Sequence, residues 1–168
     1  MESNEIVLRK PTAEDGMDVF DLVERCAPLD PNSSYCNLLQ CSHFSDTAVA
    51  AEKQGELVGF VSGYKIPECD EPTWFVWQVA VDAKARGLGL AKKMVTEALN
   101  REDMKAVKYI ETTITPDNEA SWALFRSLAK QLGAPLEDSI MFDETKHFKG
   151  RHGTEHLVRI GPFNVAAD

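Results

Sequence analysis

The sequence predicts an α/β domain of the α+β kind, a mixed and mostly antiparallel sheet flanked by helices. Three observations carry that prediction. β-type runs crowd residues 47–81, two stretches of helical apolar spacing follow, and a further β-type run separates those two stretches. The chain of 168 residues shows no internal repeat and no low-complexity linker. One domain over 1–168 is therefore expected, long enough to bury its own core.

The elements can be justified in order. Glu5 to Arg9 is a short strand. Thr12 can cap a helix, with Asp15 three residues on completing a capping box, and Val19, Phe20, Leu22 and Val23 give that helix an apolar side to about Arg25. Pro28 to Ser34 reads as a loop by its prolines and small polar residues, and Tyr35 to Gln40 as a short helix. Thr47–Lys53 and Glu56–Tyr64 flank Gln54-Gly55, a hairpin signal, and Ile66–Pro72 is a loop. Thr73–Val81 is rich in aromatic and β-branched residues, which suits a central strand buried on both faces. Leu90–Leu99 is a helix by periodicity, Tyr109–Thr115 a strand, and Asp117–Leu132 a helix stopped by Gly133. Ser139–Phe142 and His156–Ile160 are two late strands.

Composition narrows the function. The net charge is −9, which disfavours a nucleic-acid binder relying on general basicity and is compatible with a cationic ligand. The most apolar run, Trp74 to Trp77, stops at Gln78, far short of a membrane span. The first ten residues carry acids where a signal peptide would be basic and then apolar. Cys26, Cys36, Cys41 and Cys69 form no CxxC pair, so they read as reduced cytoplasmic thiols rather than a disulfide frame or a metal site.

One segment joins a strand to a helix through Asp82-Ala83-Lys84-Ala85-Arg86-Gly87-Leu88-Gly89-Leu90-Ala91. Gly87 and Gly89 lack Cβ, so phosphates can approach the backbone there. The amides from Arg86 to Ala91 point into a helix start that favours an anion. Lys84, Arg86, Lys92 and Lys93 add positive charge with no acid after Asp82. Together these suit a pyrophosphate. The spacing is neither a Walker A loop nor a Rossmann fingerprint.

Arg86-Gly87-Leu88-Gly89-Leu90-Ala91 resembles the R/Q-x-x-G-x-G/A motif of the GCN5-related N-acetyltransferases. The resemblance implies that fold, and acetyl-CoA as co-substrate without a metal. It implies that the loop amides hold the pyrophosphate, and that Val79, Ala80 and Val81, on a preceding strand splayed at a bulge, bind the thioester and pantetheine arm. Asn118, with Ser121 and Phe125, is similar to the later helix that lines the thiol. Longer blocks resemble the diaminobutyrate acetyltransferases of ectoine synthesis: Leu29–Tyr35, His43-Phe44, Val58–Tyr64, Trp77–Val81, Glu111–Trp122 and Leu157–Phe163. That likeness implies acetyl transfer to the N4 amine of L-2,4-diaminobutyrate, by direct transfer in a ternary complex, in a cytoplasmic homodimer with no nucleic-acid or membrane partner. The alternatives are an acetyltransferase for another small amine or polyamine, a protein N-acetyltransferase, or a non-catalytic acetyl-CoA-binding regulator.

The chemistry sets requirements. The attacking amine must be neutral, yet a lysine-like amine has a pKa of about 10.4, so a base or water chain is needed. Asp30 alone reads as a turn-capping residue, and His152 and Glu155 as members of a polar loop. The resemblance makes these three substrate contacts. Asn32, Ser33 and Tyr35 could complete the pocket, and Trp77 could serve as pocket wall or as core. Glu155 and Tyr35 are the catalytic candidates. Many members of the wider family carry a tyrosine seven residues after the helix asparagine. Here that position is Phe125, expected to be a packing residue. His43, His147 and His156 are read as structural.

Overall fold

A computed structural model describes residues 5–27 and 29–164; Pro28, in the expected loop, lies outside them. The chain divides into two compact units. One comprises the residues up to Tyr64 with Val76–Lys105, and the other Lys65–Phe75 with the residues from Ala106 onward.

The first unit holds β1 (Ile6–Arg9), α1 (Gly16–Arg25), α2 (Ser34–Ser42), β2 (Val49–Lys53), nearly all of β3 (Glu56–Lys65), most of β4 (Thr73–Val81) and α3 (Leu90–Leu99). Its strands are hydrogen-bonded in the order β1-β2-β3-β4, with β1 and β3 both antiparallel to β2. Gln54 and Gly55 adopt φ of 52° and 77°, the double left-handed turn that closes the β2–β3 hairpin. Val19, Leu22, Val23, Cys41, Phe60 and Ala80 belong to one buried core cluster. The expected capping box forms around a single 3-10 turn at Ala13–Asp15 that precedes α1. The Thr12 amide donates to the Asp15 carboxylate at 2.8 Å, and the Asp15 amide to the Thr12 carbonyl at 2.9 Å. Arg9 closes on the same carboxylate with two bonds, of 2.8 and 2.9 Å.

β4 is irregular along its length. At one end the Ile66 amide donates to the Thr73 carbonyl, and at the other the Asp82 amide donates to the Val58 carbonyl. Between these bonds β3 advances eight residues and β4 nine. The ladder of an antiparallel pair keeps a constant register, so the extra residue is a β-bulge in β4. At Gln78 the main-chain N–H donates to the Ser62 hydroxyl instead, at 3.2 Å. The parallel register of β4 with β5 (Tyr109–Ile114) covers Thr73–Phe75 alone, while β4 runs on to Val81. The bulge fits the strand shape implied by the resemblance. Burial on both faces does not hold. Trp74, Val76 and Ala80 are buried, but Trp77 is 44% exposed. Trp77 is the one exposed residue of β4, and its ring stands edge-on to Tyr64, 6.5 Å between centroids.

The second unit contains β5, α4 (Glu119–Leu132), β6 (Leu136–Phe142) and β7 (Glu155–Ile160), with β7 antiparallel to both β5 and β6. β6 begins three residues before the expected strand and β7 one. Every β6 residue after Leu136 is exposed, so its first half carries Glu137 and Asp138 and no alternation signals it. α4 starts two residues later than expected because Asn118 caps it, its Oδ1 accepting from the Ser121 amide at 3.2 Å. Trp122, Phe125 and Leu128 are buried along α4. Among the described residues no helix is long and apolar enough to cross a membrane.

Candidate active site

The turn from β4 into α3 is built largely by local rules. The Asp82 side chain accepts from the Lys84 amide at 3.2 Å and starts a 3-10 turn at Ala83–Ala85. It also receives the Arg25 guanidinium at 3.0 and 3.2 Å. Burial alone would raise this carboxyl, but the Lys84 amide and Arg25 together hold it below the ordinary range. Gly87 and Gly89 have φ of 81° and 69°, which an L side chain adopts only with strain. A Cβ at either would meet no heavy atom within 4 Å, so the space above the turn is open to a ligand. Gly89 is the N-cap of α3 and offers no capping side chain. The Leu90 and Ala91 amides, in the helix's first turn, therefore face outward with the positive end of the helix dipole. Leu88 is half exposed beside them.

Two further contacts involve the cations of this turn. Lys84 pairs with Glu56, and the Arg86 Nε donates to the Val81 carbonyl at 3.3 Å. Lys84 is thus offset by an acid, whereas Arg86 keeps its full positive charge beside the turn, because a carbonyl partner does not neutralise a guanidinium. The Val81 carbonyl also accepts from the Cys26 thiol at 3.4 Å. Val79 and Ala80 precede it on the part of β4 beyond the β5 register.

The same unit carries the residues between α1 and α2. Asp30, Asn32 and Ser33 lie on one short loop, and Ser33 caps α2 by accepting from the Cys36 amide at 3.0 Å. Tyr35 is 69% exposed in the first turn of α2. The structure joins this loop to β4 through a residue that the sequence reading missed. Gln78 accepts from Asn32 Nδ2 at 2.9 Å and donates from its Nε2 to the Asp30 carbonyl at 2.7 Å. The available signal was its position as the one polar residue between Trp74 and Val81. Cys41, on α2, has a thiol pushed up to about 12, chiefly by burial. It stays protonated and is unsuited to act as a nucleophile.

In the second unit, Glu155 opens β7 opposite Phe142, where the β6–β7 register shifts by one residue. His152 stacks on Phe148 at 4.6 Å between centroids, and its Nδ1 is hydrogen-bonded to the Gly153 carbonyl at 2.7 Å. That bond requires the proton on Nδ1 and leaves Nε2 as the other ring nitrogen. The loop between β6 and β7 is stiffened from within. Asp143 accepts from the Thr145 and Lys146 amides at 2.9 and 2.8 Å, and its own amide donates to His147 Nδ1 at 2.7 Å. His147 is thereby structural, as expected. His156 packs edge-on to Trp122 with its Nδ1 buried and unpartnered. Phe125 is 3% exposed, a packing residue with no proton to give. Asn118, expected to line the thiol, commits its Oδ1 to capping α4.

These features have counterparts among known proteins. The profile of the acetyltransferase (GNAT) family matches residues 17–129. An L-2,4-diaminobutyric acid acetyltransferase of Methylotuvimicrobium alcaliphilum is 58% identical over 160 residues, covering 95% of this chain and 92% of that protein. One from Halomonas elongata is 49% identical, covering 98% and 85%. Among solved structures, the diaminobutyrate acetyltransferase of Paenibacillus lautus, in complex with its substrate L-2,4-diaminobutyric acid and coenzyme A, superposes with a TM-score of 0.90. It is 38% identical and covers 99% of this chain and 100% of that one. The ribosomal-protein-S18-alanine N-acetyltransferase of Escherichia coli, 13% identical with a TM-score of 0.69, shares the fold alone. The chain belongs to the acetyltransferase (GNAT) family and, within it, to the L-2,4-diaminobutyric acid acetyltransferases.

Proposed function

We propose that this protein transfers the acetyl group of acetyl-CoA to the N4 amine of L-2,4-diaminobutyrate, the acetylation step of ectoine synthesis. The observation that carries the proposal is likeness over nearly the whole chain to proteins of that name, one of them solved with diaminobutyric acid and coenzyme A. We take residues 1–168 as one N-acetyltransferase domain, because the family profile runs through both units.

The β4–α3 turn has the right chemistry for the cofactor. Outward amides at Leu90 and Ala91, with open space over Gly87 and Gly89, suit a pyrophosphate. Arg86 and Leu88 complete that turn, and the main chain of Val79, Ala80 and Val81 is assigned to the pantetheine arm, with Asn118 near the thiol. Acetyl-CoA supplies an activated thioester. The neutral N4 attacks its carbonyl carbon, the C–S bond breaks, and the amine proton leaves to a base. Main-chain N–H groups near Val79 stabilise the charge that develops on the carbonyl oxygen. Transfer is direct, within a ternary complex.

Asp30 is assigned to the α-ammonium, and Asn32, Ser33, Trp77, His152 and Glu155 are proposed as further substrate contacts. Holding the α-ammonium with a carboxylate keeps it charged and unreactive, so N4 alone is presented as a nucleophile. Glu155 is the base candidate, directly or through water, and Tyr35 the reserve acid. With a thiol pKa of about 8.5, the thiolate can leave without a donor. The four cysteines are free, which fits the cytoplasm. A homodimer is part of the proposal; Ile140, Met141 and Phe142, exposed on β6, offer apolar surface for it.

NMR of the reaction product tests the assignment, with acetylation expected at N4. Acetylation at the α-nitrogen, or a preference for lysine over diaminobutyrate, overturns it.

A further inference from the structure

The geometry points to Gln78 as a positioning residue that sets the diaminobutyrate pocket by clamping the Asp30–Asn32 loop to the bulged part of β4. The inference rests on the reading above, that Asp30 contacts the substrate. Gln78 occupies a β4 position where the ladder is already interrupted, its amide donating to the hydroxyl of Ser62, a residue only 2% exposed. The backbone beneath the side chain is thus anchored to the interior. The side-chain amide then makes two opposed bonds to one loop, accepting from Asn32 Nδ2 at 2.9 Å and donating to the Asp30 carbonyl at 2.7 Å.

Those two bonds select one orientation of the amide. A flip would set Nε2 against Asn32 Nδ2 and Oε1 against the Asp30 carbonyl, donor on donor and acceptor on acceptor. The clamp therefore reads both ends of the Asp30-Pro31-Asn32 segment at once. Pro31 already restricts Asp30 to extended backbone. With its carbonyl also held, the remaining freedom of Asp30 lies largely in its side chain. The Ser33 cap on α2 fixes the far end of the loop. Gln78 neighbours Trp77 and Val79, so one residue relates the loop carrying the Asp30 carboxylate to the strand assigned to the thioester. An error of about 1 Å in such a relation can cost on the order of 100-fold in rate.

The test compares Gln78→Glu, Gln78→Met and Asp30→Ala, with acetyl-CoA affinity by calorimetry and circular dichroism as controls of the fold. Gln78→Glu keeps an acceptor for Asn32 but places an oxygen against the Asp30 carbonyl, and Gln78→Met keeps the length without either bond. Both should raise KM for diaminobutyrate about tenfold or more, the size expected for a lost hydrogen bond, with acetyl-CoA affinity unchanged. Selectivity over ornithine should also relax, which a merely structural loss would not produce. If Gln78 acts through Asp30, adding Gln78→Met to Asp30→Ala should raise KM little further. Wild-type KM in both Gln78 variants, or a fully additive double variant, overturns the clamp while the Asp30 assignment stands. Wild-type KM in Asp30→Ala overturns the substrate assignment itself and the clamp with it. A Gln78 variant that loses acetyl-CoA affinity in parallel assigns the residue to the fold and also overturns the inference.

Discussion

The β4–α3 turn and the Asp30–Ser33 loop are both short, both polar and both in the first unit, yet they are held by opposite means. The turn is shaped mostly by its own residues: Asp82 caps it, and two glycines adopt left-handed φ. The loop is set by Gln78, 48 residues from Asp30 and 46 from Asn32 along the chain. A site for a pyrophosphate, common to many acetyltransferases, can be local because backbone amides do the binding. A site that must tell one small diamine from another needs side chains whose directions are set by tertiary contacts. On the proposed reading, acetyl-CoA binding falls to a local motif and substrate choice to a long-range one.

The sharpest way to break this contrast is Gly89→Glu. It forces a side chain into φ of 69° and puts a negative charge where an anion should sit. Acetyl-CoA affinity should fall by on the order of 100-fold or more, about 2.7 kcal/mol, while circular dichroism shows the fold intact. Retained affinity by calorimetry would remove the pyrophosphate from this turn.

His152→Ala and Glu155→Ala test the two proposed substrate contacts that lie late in the chain. Each should weaken diaminobutyrate use by about 1.5–3 kcal/mol, the range for a hydrogen bond to a charged group, and leave acetyl-CoA affinity alone. Steady-state kinetics with each substrate varied in turn separates the two. Equal losses for both substrates would mean that the division between local and long-range holding is wrong.

Asp15 joins a local box with Thr12 to an ion pair with Arg9, whose guanidinium also reaches Glu52, 43 residues away, and it sharpens the comparison through stability. Hydrogen bonds from Arg9 hold its carboxyl below the ordinary value against the opposing effect of burial, and the Thr12 amide adds to the effect. An acid depressed in the folded state stabilises the protein fully above its unfolded pKa, about 3.9, and loses that contribution as pH falls through its folded value. Asp15→Asn should cost roughly 1–3 kcal/mol in denaturant unfolding at pH 7. Its deficit against the parent should shrink as pH drops below about 4.

The smallest expected effects are at the missing acid. Phe125→Leu should keep most of kcat, and Phe125→Tyr should add little. Tyr35→Phe is the paired control. A fall of about 100-fold or more in its kcat, the size of a lost general acid, would show that a proton donor is required and make Tyr35 catalytic.

By itself the sequence determined the elements whose signals lie within a turn or two of chain. The Gln54-Gly55 hairpin, the Thr12–Asp15 box, the exact span of α3, the stop at Gly133 and the glycine turn are all set by backbone preference and short-range hydrogen bonds. Phe125 was legible as packing because its spacing on α4 matched Trp122 and Leu128. Tertiary structure alone decided the bulge in β4, the exposure of Trp77, the pairing of Lys84 with Glu56, the first half of β6 and the clamp at Gln78. Composition gives a tryptophan in an apolar strand no sign of whether its face will be covered. A lone polar residue in an apolar strand, as Gln78 is, signals that it needs a partner but does not say which segment, 48 residues away, will supply it. Such features depend on which segments meet, and that is settled by burial of the whole core rather than by any one stretch of it.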